Sequence, residues 1–321
     1  MDGILIVNKP DGWTSFDVIA KLRGVLRERS AGHTGTLDPM ATGVLVVALG
    51  EATKLVEHLT AADKTYQASI TFGAETLSLD AASEITRTAP VPESLREALA
   101  EPSRLANFDL LSAAIAQELA RTEQVPPAVS AIHVNGQRAY DLARRGESVV
   151  LAPRPVQVRS LTVTGGTLTP APTLFVTVTT TKGYYVRSLA RDLAATLGTL
   201  GHLTALHRVR AGDFTLERSV APTDPREWIE ARVIPIAEAV KLAMPTCTLT
   251  EEGTRFALQG KALSAPHFAS TAVGTVACFD LNGALVALVD VSPDGEGRVR
   301  RGFAHPSRYL PNIPHVPTEE P

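Results

Sequence analysis

Short apolar runs separated by glycine, proline and acidic turns set the pattern of the N-terminal part of this chain. Ile4 to Val7 is an apolar run of strand length, closed by Lys9-Pro10 and an Asp11-Gly12 turn. Val18, Leu22, Val25 and Leu26 fall at helical spacing behind Ser15, which predicts a helix to about Arg27 with Ser15 as its cap. Val44 to Leu49 reads as a buried strand and Glu51 to Leu59 as a short helix. From Thr65 to Phe72 the pattern alternates, with Tyr66, Ala68, Ile70 and Phe72 on one face of a strand.

The character changes over residues 76–123, which are acidic, alanine-rich and expected to form a helical or mobile appended lobe. Pro126-Pro127 introduces a strand over Val129 to Val134, and Tyr140 to Arg145 reads as a helical turn. Val156 to Val163 and Leu174 to Thr180 form the next strand pair. Lys182-Gly183 closes it, and a helix follows from Tyr184 to Leu197 with Gly198 at its C-cap. Val186, Leu189 and Leu193 give that helix an apolar stripe, with Arg187 and Arg191 one turn apart on another face. Strands among short helices, without a repeated βαβ unit, predict an α+β domain around a mixed, largely antiparallel sheet.

After about Met244 a helix over Leu249 to Gly260 precedes short apolar runs at Val276 to Asp280, Ala284 to Val291 and Val299 to Phe303. These predict a compact β-rich module. The expected division is a larger domain at 1–243, a second domain at 244–311 and a disordered proline-rich tail at 312–321.

Composition narrows the class. A chain of 321 residues, 44% hydrophobic and 20% charged, suits a soluble two-domain protein. No apolar stretch reaches the roughly 18 residues that span a bilayer, and no signal peptide is evident, so the cytoplasm is the expected location. Cys247 and Cys278 offer neither a disulfide framework nor metal-ligand spacing, and read as small buried hydrophobes. A net charge of −3 argues against coating nucleic acid through bulk charge, but leaves room for a local basic face that grips folded RNA.

Candidate chemistry concentrates in Gly32-His33-Thr34-Gly35-Thr36-Leu37-Asp38-Pro39-Met40-Ala41-Thr42-Gly43. Proline pushes Asp38 out of the helical region, onto a bent loop entering a buried strand, and the glycines admit a close approach by a backbone or a flat ligand. A phosphate-binding loop is disfavoured, because no lysine follows Gly35 and a strand, not a helix, comes next. A purely structural Asp-Pro turn and a carboxylate placed for chemistry stand level on this segment alone. Taken singly, Tyr66 reads as core packing, Arg187 as a solvated helix face and His33 as structural.

Several blocks in order resemble the TruB-type tRNA pseudouridine synthases, relatives of the eukaryotic guide-RNA-dependent enzymes. They are Gly3 to Pro10 with Gly12-Trp13-Thr14-Ser15, Gly32 to Gly43, Gly50-Glu51-Ala52-Thr53-Lys54, and Asp63-Lys64-Thr65-Tyr66. Further blocks are Gln124-Val125-Pro126-Pro127 with Ser130-Ala131, Asn135 to Tyr140, and Lys182 to Leu189. The resemblance spans residues 1 to about 220, and the C-terminal module is similar to a PUA domain, a small RNA-binding β-barrel.

The resemblance implies the pseudouridine synthase fold and isomerisation of the T-loop uridine of tRNA, at position 55 in tRNA numbering. Asp38 would bond covalently to the target nucleotide, Tyr66 stack on its base, and Tyr185 pack against it and accept a proton. Arg187 would pair with Asp38, Leu206 line the base pocket and His33 contact the RNA nearby. Lys9, Lys54 and Lys64 would contact phosphates. The partner implied is the T-arm stem-loop of tRNA, with no membrane, no obligatory protein partner and a monomeric state. Breaking a glycosidic bond, turning the base and rejoining it through carbon needs no redox step, so no cofactor and no metal is expected. The alternative is a non-catalytic tRNA-binding or tRNA-folding protein on the same scaffold, which would need neither Asp38 nor Arg187. One departure stands out. Where family members carry Thr-Asp-Thr-x-Asp, this chain has Thr76-Leu77-Ser78-Leu79-Asp80, which puts the usual local hydrogen bonding in question.

Overall fold

The computed structural model describes residues 1–130, 151–270 and 272–303, together with the two-residue strands His133–Val134 and Gln137–Arg138. The expected helical turn at Tyr140 to Arg145 and the tail at 312–321 lie outside the described residues, as does much of the Asn135 to Tyr140 block.

A nine-stranded sheet organises the larger part of the chain. Its path runs Val158–Thr167, Thr173–Thr180, Lys64–Phe72, Gly201–Ala211, Ala41–Leu49, Gly3–Lys9 and Ile234–Pro235, with Ala31–His33 and Phe214–Thr215 paired alongside. Every pairing among these strands is antiparallel except Gly201–Ala211 with Ala41–Leu49, which sets Leu206 beside Ala41 and Arg208 beside Gly43. The expected α+β class with a largely antiparallel sheet is therefore what the chain adopts.

The continuous apolar runs in the two central strands follow from burial on both faces. Leu5, Val7, Leu45, Val47 and Leu49 enter one core, with the helices Ser15–Leu26 and Val186–Thr196 packed over it. Ile4, Ile6, Val44, Val46 and Ala48 enter a second core on the other face. Lys64–Phe72 alternates instead, burying Ala68, Ile70 and Phe72 while Gln67 stays exposed.

Several boundaries move for local reasons. Thr14, not Ser15, caps the first helix: its hydroxyl accepts from Asp17 N at 3.0 Å, while Asp17 Oδ2 accepts from Thr14 N at 2.8 Å. Ser15 is buried and accepts from Leu37 N at 2.9 Å, which anchors the loop next to Asp38. The run after Gly50 divides into a 3₁₀ segment, Gly50–Leu55, and a helical turn, Val56–Thr60. The later helix starts at Val186, leaving Tyr185 in extended conformation at its entry.

The supposed lobe is a packed layer. It forms the strand pair Ala74–Thr76 and Ile85–Thr88 and the helices Glu93–Ala100, Pro102–Ala106 and Asp109–Leu119. Leu95, Leu99, Leu105 and Leu111 are buried in the first core, so helical periodicity rather than alanine content was the informative signal.

The C-terminal part forms a separate five-stranded sheet in the order Phe268–Ser270, Thr246–Leu249, Gly274–Phe279, Leu285–Val291, Gly297–Gly302, with the helix Glu251–Leu258. A bridge between Leu263 and Gly297 reaches the last strand, but the described strands do not close into the expected barrel. Ala277, Phe279, Leu285, Leu288 and Phe303 pack into the second core of the main sheet, so the two sheets share hydrophobic contacts. Among the described residues no helix is long and apolar enough to cross a membrane.

Candidate active site

The loop from Thr34 to Ala41 is clamped from several sides. Thr34 N donates to Val46 O at 3.0 Å, Gly12 N to Pro39 O at 3.0 Å, and Ala41 N to Asp38 O at 3.0 Å. The buried Arg208 donates from Nε to Val44 O at 2.6 Å and from Nη2 to Gly35 O at 3.1 Å. Gly43 makes this approach possible: its φ is +98°, and a Cβ there would sit 2.3 Å from Arg208 O. Asp38 thus sits on a fixed backbone beside the junction of two parallel strands.

The loop forms one wall of a cavity of about 260 Å³, whose lining includes Asp38, Lys64, Tyr66, Tyr185, Arg187 and Leu206. Six of the nine predicted site residues therefore converge, from distant parts of the sequence. Tyr66 comes from Lys64–Phe72, Leu206 from Gly201–Ala211, and Tyr185 with Arg187 from the entry of the Val186–Thr196 helix.

Arg187 is buried and reaches Asp38 with two nitrogens. Nη2 donates to Oδ1 at 3.1 Å, while Nε lies 2.9 Å from Oδ2, within ion-pair range but out of line for a hydrogen bond. Nη1 donates to Ser78 O at 2.8 Å and Val129 O at 3.0 Å. Asp80, which is buried, places Oδ2 3.7 Å from Nε. One guanidinium thus serves two carboxylates, only one of which faces the cavity. Asp80 itself is fixed by Ser78 Oγ at 2.5 Å and Ala82 N at 3.0 Å. These serine and backbone bonds hold the Thr76 to Asp80 turn together despite the leucine at 77, which is exposed.

Burial pushes the Asp38 carboxyl above its ordinary range, while the Arg187 guanidinium pulls it back and the Asp80 charge raises it again. A carboxyl that binds its proton more tightly folded than unfolded is stabilising at low pH. That contribution is lost as pH rises from the unfolded toward the folded value. Ionised Asp38 is therefore a cost to the fold that its partner only partly offsets.

Tyr185 is held by its backbone. Gln124, which is buried, accepts from Tyr185 N at 2.9 Å and donates from Nε2 to Tyr185 O at 3.2 Å. Ser188 Oγ and Arg191 Nη2 donate to Val125 O at 2.9 and 3.2 Å, so the segment from Gln124 braces the helix entry. Burial raises the Tyr185 phenol, keeping it protonated at neutral pH. This favours packing over ready proton acceptance. Replacing Gln124 by alanine is expected to lower kcat by about ten- to a hundredfold through a displaced Tyr185, with KM changed little. Steady-state kinetics on folded variant checks this, and an unchanged kcat counts against the brace.

The three lysines part company. Lys64 is in the cavity lining, donates to Thr60 O and Ala62 O at 2.6 Å each, and is lowered by burial to about 8. Lys9 is a correction: it is fully buried, and its Nζ donates to Pro10 O, Trp13 O and Pro39 O, so it secures the loop and cannot meet a phosphate. Lys54 is half-buried and already engaged within the fold. It pairs with Glu51, donates to Gly302 O at 3.0 Å and lies 5.5 Å from the Phe303 ring centroid, which joins the two sheets. His33 is half-buried on the short strand before the loop, outside the cavity lining, and burial with the nearby Arg208 charge lowers its pKa.

Sequence reading missed Gln124, Arg208 and the role of Asp80. Asp80 and Gln124 both lie in blocks already singled out, whereas nothing in the sequence alone separates Arg208 from the neighbouring Arg210.

Comparison with known proteins bears on this geometry. The model of the TruB family pseudouridylate synthase N-terminal domain matches residues 23–186. The chain is 42% identical to tRNA pseudouridine synthase B of Streptomyces coelicolor, over 90% of this chain and 93% of that one. It is 43% identical to the protein of the same name from Thermobifida fusca, over 90% and 94%. Among solved structures, a Cbf5-Nop10-Gar1 complex contains a chain that superposes with a TM-score of 0.69 at 23% identity, covering 94% of this chain and 84% of that one. An archaeal box H/ACA sRNP Nop10-Cbf5 complex gives 0.65 at 22% identity, over 94% and 86%. These likenesses extend the fold across both sheets.

Proposed function

Since the chain belongs to the TruB family of pseudouridylate synthases, we propose that it isomerises the T-loop uridine of tRNA, at position 55, to pseudouridine. The observation that carries this reading is the Asp38–Arg187 pair opening into a cavity walled by Tyr66, Tyr185 and Leu206. A non-catalytic tRNA-binding protein has no use for a carboxylate kept in a cleft at a cost to the fold.

The target base leaves its stack in the RNA loop, at a cost of a few kcal/mol. Stacking on Tyr66 returns about 1–3 kcal/mol of that. Ionised Asp38 then attacks the nucleotide, at the ribose C1′ or at the base, and the N-glycosidic bond breaks. Arg187 keeps the carboxyl ionised and aimed. Leu206 and Tyr185 retain the freed uracil while it turns. Bonding of C1′ to C5 releases Asp38, the C5 proton leaves to solvent and N1 takes up a proton in its place, so atoms balance without an external reagent. This reading has the protein act as a monomer without an obligatory protein partner. The C-terminal module, taken as a PUA-like domain at 244–311 beside a catalytic domain at 1–243, extends the grip on RNA.

Because C5 loses its hydrogen, tRNA transcript carrying tritium at uracil C5 is expected to release one label to water per turnover, from the T-loop uridine. Binding without release would favour the non-catalytic alternative. Tyr66→Ala is expected to lower kcat/KM by about ten- to a hundredfold through lost stacking, with the thermal transition unchanged. Unaltered kinetics in that variant would count against an extruded base.

A further inference from the structure

The chain has two cysteines, and the fold sets them side by side. Cys247 lies in the strand Thr246–Leu249 and Cys278 in its parallel neighbour Gly274–Phe279, and the register makes the two direct partners. Neighbouring strands lie about 4.7–4.9 Å apart, inside the Cα separation of about 4.4–6.8 Å that a disulfide accepts. Both side chains enter the same apolar cluster, with Leu249, Val276 and Val286, and their sulfurs are 2.8 Å apart. The two cysteines are the small buried hydrophobes that the sequence suggested, and together they form one thiol pair.

We propose that Cys247 and Cys278 are a thiol–disulfide modification site, oxidised to an intramolecular disulfide by a small disulfide such as oxidised glutathione. One thiolate attacks the glutathione disulfide and releases one glutathione; the second cysteine then displaces the other. The two thiols lose two electrons and two protons in all, and the reagent leaves as two reduced glutathiones. The bond links the first strand of the smaller sheet to the strand that sends Ala277 and Phe279 into the shared core. It closes the segment holding the helix Glu251–Leu258 and the edge strand Phe268–Ser270. Closing that loop restricts the unfolded chain, so the oxidised form is the more stable one. The cavity residues lie on the larger sheet and on the loop and helix packed against it, outside the segment that the bond closes. Since both thiols are buried, exchange proceeds through local opening and is faster in mild denaturant.

The test equilibrates the full-length protein with graded mixtures of reduced and oxidised glutathione, directly and after refolding from denaturant. Acid quenching, denaturing alkylation and intact mass follow. The expected product is monomeric, about 2 Da lighter, with no alkylatable thiol, restored by dithiothreitol. Its Tm rises by at least about 2 °C, and Cys278→Ser shows neither the mass change nor the rise. Two alkylatable thiols at every ratio and after refolding would overturn the proposal. So would glutathione adducts on both sulfurs, or a disulfide formed only between chains.

Discussion

Asp38→Asn is expected to lower single-turnover isomerisation by at least about 10⁴-fold, the scale seen when a nucleophile is removed from a preorganised site. Asparagine has nearly the same shape and keeps an oxygen that can accept from Arg187 Nη2, now 3.1 Å from Oδ1. It cannot form the bond to the nucleotide. The affinity for tRNA is expected to stay within about tenfold, because phosphate contacts, which do not involve this carboxyl, carry most RNA affinity. Stability supplies a second readout. Burial holds the Asp38 carboxyl above its ordinary range, so its ionised form weighs on the fold at neutral pH. The amide carries no such charge, and the variant's Tm at neutral pH is expected to equal or exceed that of the parent. Thermal denaturation alongside quenched-flow assays separates lost chemistry from lost structure. Retained turnover would remove Asp38 from the mechanism.

Arg187→Gln is the next largest expected effect, a loss of about 10²–10³-fold in kcat at neutral pH. The guanidinium holds Asp38 on one side, with Asp80, Ser78 O and Val129 O on the others. Without it, Asp38 faces burial and the Asp80 carboxylate with no cation between them, and its proton is held more tightly. Activity needs the ionised carboxylate, so it falls as pH drops through the Asp38 value. That acid limb lies above the ordinary carboxylate range in the parent and moves further up in the variant. Part of the lost rate is therefore recovered at alkaline pH. A pH–rate profile measured where both proteins are folded checks this, and coincident acid limbs would refute the electrostatic role. Loss of a buried ion-pair partner also costs about 3–5 kcal/mol of stability, so the comparison belongs well below the variant's Tm.

The parts of the fold that were legible in the sequence are those where a local pattern meets a simple environment. Ile4 to Val7 and Val44 to Leu49 read as strands with unbroken apolar runs because both faces are covered, and Thr65 to Phe72 alternates because only one is. The helical character of residues 76–123 was legible, but their packing into the first core was not, since the leucines at 95, 99, 105 and 111 are spread among alanines and charges. Ser15 is a good capping residue by chemistry, and only the position of Leu37 shows that its hydroxyl is engaged elsewhere. Lys9 and Lys54 show the limit most clearly. A lysine's type and motif give its charge but not its partners: Lys9 binds the carbonyls of Pro10 and Trp13 nearby and of Pro39 from the Asp38 loop, and Lys54 binds a carbonyl of the second sheet. Asp38, Tyr66, Tyr185, Arg187 and Leu206 were found through the resemblance and are brought together by the sheet register, not by any local signal.

The proposed mechanism requires Asp38 to bond to a nucleotide extruded into the cavity between Tyr66, Tyr185 and Leu206. The most direct measurement is a crystal structure of Asp38→Asn with a T-arm stem-loop of tRNA, in which the substrate stays unreacted. The predicted result is the target uracil outside its loop and stacked on Tyr66, with the residue 38 side chain about 3–3.5 Å from C1′ or the base. A uracil still stacked within the RNA loop, with the cavity empty beside a bound stem, would contradict it.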